Sequence, residues 1–171
     1  MSHVICIANF VGQSGKTSTV VNLASSLAVL EKKTLVVDCD PEGKTSDYLL
    51  VDKDLAAFGL VDVLTGIVSG KSAVSSTRLE YLDIISSGDG LDTVDKMLSM
   101  NPEREKILSI IIQKFKDQYD FIVFDTPSEK GFLAKSAVIA GDSLLIPSNF
   151  ESGTIDDILD VLAYSGKFRP V

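Results

Sequence analysis

Residues 12–18, Gly12-Gln13-Ser14-Gly15-Lys16-Thr17-Ser18, combine the groups needed to grip an anion. A run opening a helix presents unpaired backbone N–H groups, and the helix dipole favours negative charge there. Gly15 lets the main chain approach a phosphate closely. Lys16 supplies a point charge for the outer phosphate oxygens, and the Thr17 hydroxyl can ligate Mg²⁺. The pattern G-x-x-x-x-G-K-[ST] asks for glycine at position 10, where this chain has Phe10. Two acidic segments extend the chemistry: Asp38-Cys39-Asp40-Pro41-Glu42-Gly43, and Asp125-Thr126-Pro127 preceded by Tyr119-Asp120. Each Asp alone reads as a helix cap or turn residue. Together, at the ends of two strands beside a Gly-Lys-Thr turn after a third, they can hold Mg²⁺ and orient an attacking water.

Five short apolar runs have to carry these residues: His3–Ala8, Lys33–Val37, Tyr81–Ile85, Phe121–Phe124 and Ser143–Ile146. Runs without strict alternation suit strands covered on both faces. Their alternation with helical patterns predicts a parallel α/β sheet, in which ligands bind beyond the carboxyl ends of the strands. Val20, Leu23, Ala24 and Leu27 mark one face of a helix after the first strand. A helix is expected over 102–116, with Asn101 as cap, Pro102 in the first turn and Ile107, Leu108, Ile111 and Phe115 as its buried stripe. Shorter helices are expected near 60–69, 91–99, 131–140 and 154–164.

The 171 residues are about one domain's worth, with 45% hydrophobic and 23% charged residues, so the chain can bury a core and is not disordered. Net charge is −8, which argues against coating nucleic acid by bulk charge. Arg104, Lys106, Lys114 and Lys116 are balanced by Glu103, Glu105 and Asp117, the pattern of a solvated helix face. Lys167 and Arg169 add two cations near the end. Cys6 and Cys39 sit in or beside apolar runs and read as small core residues in a reducing compartment. With His3 the only histidine and no CxxC, zinc ligation and a Ser-His-Asp mechanism lack parts. The start MSHVICIANF has neither a basic beginning nor a long apolar run, so a cytoplasmic location is expected, and no visible stretch signals a membrane span.

The sequence resembles the ParA/MinD/Soj family of deviant-Walker-A P-loop ATPases. The resemblance is carried by Ile7-Ala8-Asn9, Gly12, Gly15-Lys16-Thr17-Ser18, Val21-Asn22-Leu23-Ala24, Leu35 to Gly43, Gly59-Leu60-Val61-Asp62-Val63-Leu64, Tyr119 to Pro127 and Ala140 to Pro147. It implies a three-layer, doubly wound, mostly parallel sheet over residues 1–171 as one P-loop domain. It also implies an ATP-dependent switch acting in partitioning or positioning. Mg·ATP would promote a face-to-face homodimer and hydrolysis to ADP would reverse it. By position, Gly12, Gln13, Ser14, Gly15, Lys16, Thr17 and Ser18 would bind nucleotide. Lys16 and Asp40 would serve hydrolysis, and Thr17, Asp40 and Asp125 would hold Mg²⁺ directly or through water. A ParB-like activating protein and non-specific DNA are the partners implied.

Three departures from the family pattern stand out. The family's loop begins with a lysine that reaches across the dimer, and here that position is Val11. Loss of such a charge donor costs on the order of a hundredfold or more in rate, so the alternative is a nucleotide-binding regulatory module with little or no hydrolysis. Gln13 replaces a glycine, which costs roughly 1–2 kcal/mol if the position needs positive φ. Family members also continue with further strands and helices. Relatives of other activity on this fold would show a C-terminal tyrosine cluster or cluster-ligating cysteines. The absence of N-K-x-D makes GTP a poorer expectation than ATP.

Overall fold

The computed structural model describes residues 1–49, 57–98, 100–148 and 155–166. The five expected strands form at His3–Ile7 (β1), Thr34–Asp38 (β2), Leu82–Ile85 (β4), Phe121–Asp125 (β5) and Ser143–Leu145 (β6). A further short strand, Val74–Ser76 (β3), was not expected from the sequence. The sheet order is β3-β4-β2-β5-β1-β6. All pairings are parallel except β3 against β4, which is antiparallel at the edge.

Alternate residues of the strands feed two apolar layers, and this makes the fold three-layered. On one face Val4, Cys6, Leu35, Val37, Ile122 and Phe124 meet residues of the helices Leu60–Leu64 (α3), Ile107–Ile112 (α5), Phe132–Ala140 (α6) and Ile155–Ser165 (α7). On the other face Ile7, Val36, Ile84 and Val123 pack on Val20, Ala24 and Ala28 of the helix Lys16–Val29 (α1). Burial on both sides explains why the strands read as continuous apolar runs.

The helix expected over 102–116 is broken into pieces. A 3₁₀ turn covers Arg104–Lys106, and α5 ends at Ile112. Three consecutive isoleucines, Ile110–Ile112, are β-branched and favour helix weakly. The chain then tightens into i→i+3 bonds, Phe115 N to Ile112 O at 2.9 Å and Gln118 N to Phe115 O at 2.8 Å. These carry Phe115 into the core, and Ile112 rather than Ile111 becomes the fully buried isoleucine. Asn101 Oδ1 accepts from Glu103 N at 2.9 Å in the turn that leads into the 3₁₀ segment, whose own N-cap is Glu103 with no side-chain bond, so the expected Asn101 helix cap is not formed. The expected helix near 60–69 is α3 followed, after a turn, by a 3₁₀ segment at Gly70–Ala73. That near 91–99 is a 3₁₀ segment at Leu91–Thr93 running into Val94–Met97 (α4). A six-residue helix, Lys44–Leu49 (α2), was missed, because its sequence KTSDYL has no apolar period. Residue 99, residue 154, Lys167 and Arg169 lie outside the described residues.

Candidate phosphate and cation site

The Gly12–Ser18 loop leaves the end of β1 and turns into α1 at Lys16. Two backbone conformations make the turn. Gly15 caps the helix at φ 88°, which glycine adopts without a Cβ penalty. Gln13 lies at φ 59°, the left-handed region that non-glycine residues enter at a cost. The condition on which the sequence made a cost at position 13 depend, a positive φ, is met. Upstream, Asn9 is fully buried and braces the loop from both sides. Its amide donates to Pro147 O at 2.8 Å and its Oδ1 accepts from Val11 N at 2.9 Å. Phe10 stands edge-on to Tyr164 of α7, with ring centroids 5.0 Å apart. Lys130 Nζ lies 5.5 Å from the centre of the Phe10 ring and pairs with Asp160.

Lys16 is 5% exposed, and its ammonium donates to Ser128 Oγ at 2.8 Å and to Val11 O at 3.4 Å. Burial lowers its pKa, against the opposing charges of Asp125 and Asp40. Thr17 Oγ1 donates to Asp125 Oδ2 at 3.1 Å. Asp125 ends β5, is fully buried, and its Oδ1 has no hydrogen-bond partner. Among the described residues only Ser14 Oγ shares that condition, and it lies in the same loop. Burial pushes the Asp125 carboxyl up to about 6, with hydrogen bonds from Thr45 and Thr17 opposing. The three strand-end signals read from the sequence do meet at one rim.

The second acidic segment divides its labour. Asp38, at the end of β2, is fully buried and structural. Its Oδ2 accepts from Ser46 N at 2.9 Å and Ser46 Oγ at 2.6 Å, and its Oδ1 accepts from Asp40 N at 3.1 Å. Burial raises it to about 7. Asp40 is half-buried and accepts from Glu42 N at 3.0 Å. Burial raises its pKa, and its charge acts on both Lys16 and Asp125. A cleft of about 590 Å³ opens beside this turn, lined by Pro41–Gly43, Ser46 and Ser86–Gly90, and it does not reach Lys16. Gly12 and Ser18 are exposed at the rim.

Sequence reasoning missed Ser128, Thr45 and Ser46. Hydroxyl residues in turns carry no periodic signal. Only their position just after the strand-end acids could have drawn attention to them.

A strand–loop–helix turn at the carboxyl end of a mostly parallel sheet, with lysine, threonine and a strand-end aspartate gathered there, defines a P-loop type of α/β domain. A family model described as "AAA domain" matches residues 2–169. The chain belongs to that family, and its relatives are of the ParA/MinD/Soj kind. Chromosome partitioning protein ParA of Myxococcus xanthus is 33% identical over 151 residues, covering 88% of this chain and 53% of the relative. Sporulation initiation inhibitor protein Soj of Bacillus subtilis is 32% identical over 162 residues, covering 95% and 64%. Among solved structures, cobyrinic acid a,c-diamide synthase from Mycobacterium smegmatis with bound ADP and magnesium superposes with a TM-score of 0.90. It is 25% identical, covering 97% of this chain and 67% of that one. The chain thus spans about half to two thirds of the length of these curated relatives. No described helix is long and apolar enough to cross a membrane.

Proposed function

We propose that the chain binds ATP with Mg²⁺ across the Gly12–Ser18 loop and acts as a ParA-like switch in partitioning or intracellular positioning. Nucleotide would pair two copies, and slow hydrolysis would release them. The carrying observation is the meeting of Lys16, Thr17 and Asp125, with Asp125 Oδ1 buried and unpartnered. A buried carboxylate oxygen without a donor is costly. Beside a threonine hydroxyl it makes the hard-oxygen donor set that suits Mg²⁺. The cation, when bound, would neutralise charge on the outer phosphates.

The chain's own residues fit the remaining tasks. The N–H groups of the loop and of the first turn of α1 would line the phosphates. Lys16 brings a buried, poorly solvated ammonium, whose electrostatic pull is stronger than in water. Thr17 already gives its hydroxyl proton to Asp125, which leaves its oxygen lone pairs for the cation. Asp40, half-buried at the turn after β2, would orient the attacking water. A second copy and a ParB-like activator are the partners of this reading. DNA binding through 104–116 draws little support, since Lys106 pairs with Glu103 at 3.2 Å.

One observation favours the second reading, a nucleotide-binding regulatory module with little hydrolysis. Val11 carries no charge, and its neighbour Phe10 is packed against Tyr164. Nucleotide titration with steady-state ATPase assays on the native protein, Lys16→Ala and Val11→Lys separates the two. Native turnover abolished by Lys16→Ala supports the switch enzyme. Turnover that begins only with Val11→Lys supports the regulatory module. No nucleotide binding by the native protein defeats both.

A further inference from the structure

We infer that Thr45 is a positioning residue for the cation side of this site, tying the segment that carries Asp40 to the carboxylate of Asp125. The inference rests on the nucleotide reading above and adds a residue to it. Thr45 Oγ1 donates to Asp125 Oδ2 at 2.5 Å, shorter than the 3.1 Å bond from Thr17. Thr45 is fully buried in α2.

The direction of that hydroxyl is informative. A threonine in a helix commonly satisfies its hydroxyl on the carbonyl four residues back. Thr19 and Thr65 do so in this fold, bonding Gly15 O and Val61 O at 2.8 Å each. Thr45, second in α2, has no helical carbonyl four residues back, and its hydroxyl reaches a carboxylate 80 residues away in sequence. Its neighbour Ser46 reaches the other buried strand-end acid, Asp38, with both N and Oγ. The two consecutive hydroxyls thus clamp α2, and with it the Asp40–Gly43 turn, onto the ends of β2 and β5.

The chemical consequence falls on Asp125. With two hydroxyls on Oδ2, rotation of the carboxylate is fixed and Oδ1 is the oxygen left to face a cation or its water shell. Partners that orient a ligating group in this way commonly govern about 10- to 100-fold of metal affinity.

The test reads the gain in nucleotide affinity caused by Mg²⁺. A fluorescent ATP analogue is titrated into the full chain with Mg²⁺ and with EDTA. Thr45→Val keeps the shape and removes the hydroxyl, Thr45→Ala removes it with less bulk, and Thr45→Ser keeps it. The expected result is a Mg²⁺-dependent gain reduced about tenfold in Thr45→Val and Thr45→Ala, with EDTA affinities unchanged and Thr45→Ser near the native value. A native-like gain in both hydroxyl-less variants overturns the inference while leaving the nucleotide reading intact. So does an equal loss with and without Mg²⁺, which would mean that Thr45 only supports the fold. A native protein that binds no nucleotide overturns the site reading itself, and this inference with it.

Discussion

Asp38 and Asp125 are Cα partners at the ends of β2 and β5, and both carboxylates are fully buried. Two acids placed side by side in a dry rim oppose each other's ionisation. Burial is the larger cause, and it raises Asp38 to about 7 and Asp125 to about 6.

A pH dependence follows from that pair. A carboxyl whose folded-state pKa is raised binds more protons folded than unfolded between about pH 4 and its folded value. Stability is therefore present at the acidic end of that window and lost as pH rises through it. In EDTA and without nucleotide, the thermal midpoint of the domain should be higher at pH 5 than at pH 8. Asp38→Asn should make the slope shallower, and calorimetry across the pH series checks both. A native midpoint that climbs from pH 5 to pH 8 would contradict the burial of these acids in their charged form.

The loop stores strain at one residue. Gln13 at φ 59° costs roughly 1–2 kcal/mol relative to glycine, while glycine loses about 0.4–1 kcal/mol through the unfolded chain. Gln13→Gly should therefore stabilise the domain by up to about 1.5 kcal/mol, read as a higher urea midpoint with an unchanged slope. A lower midpoint would show that the glutamine side chain does more for the loop than its backbone costs.

Much of this arrangement was legible in the sequence, and the rest was hidden for physical reasons. The strands were readable because burial on both faces makes β1, β2 and β5 continuous apolar runs. Lys16, Thr17 and Asp125 were readable because strand ends and a Gly-Lys-Thr turn are local patterns. Thr45 and Ser46 were not, since α2 is short, hydroxyl-rich and held by bonds to distant strands rather than by its own apolar face. The stripe over 102–116 misled because four apolar residues at helical spacing also suit a chain that changes to i→i+3 turns at Ile112. Val74–Ser76 is a three-residue antiparallel edge, too short to show a period.

The N-terminal half of the loop is anchored through aromatic contact. Phe10 meets Tyr164 edge-on, and the Tyr164 hydroxyl donates to Gly131 O at 2.9 Å just before α6. A double-mutant cycle of Phe10→Ala and Tyr164→Ala, read by urea unfolding, should give a coupling of about 0.5–1.5 kcal/mol. Additive single effects would mean that the rings merely share a surface. Coupling would mean that α7 helps set the loop on which Val11 and Lys16 depend.

The most discriminating single change is Asp125→Asn. Its carboxylate is held charged against burial by Thr17 and Thr45, while Oδ1 has no partner. The amide oxygen can accept both hydroxyls, and the NH₂ takes the place of the unpartnered oxygen, exchanging the burial of a charge for the smaller cost of burying neutral donors. Near pH 7.5 the unliganded domain should gain stability, on the order of 1 kcal/mol, because the raised carboxyl no longer has to ionise in the folded state. Below pH 5 the gain should vanish, since the native acid is then protonated. The same substitution should abolish the affinity gained by nucleotide on adding Mg²⁺, because a neutral amide is a poor partner for a hard cation. Stability and Mg²⁺-dependent binding thus move in opposite directions at one residue. A variant that loses both would show that Asp125 is held here for the sheet, and one that keeps both would show that no cation depends on its charge.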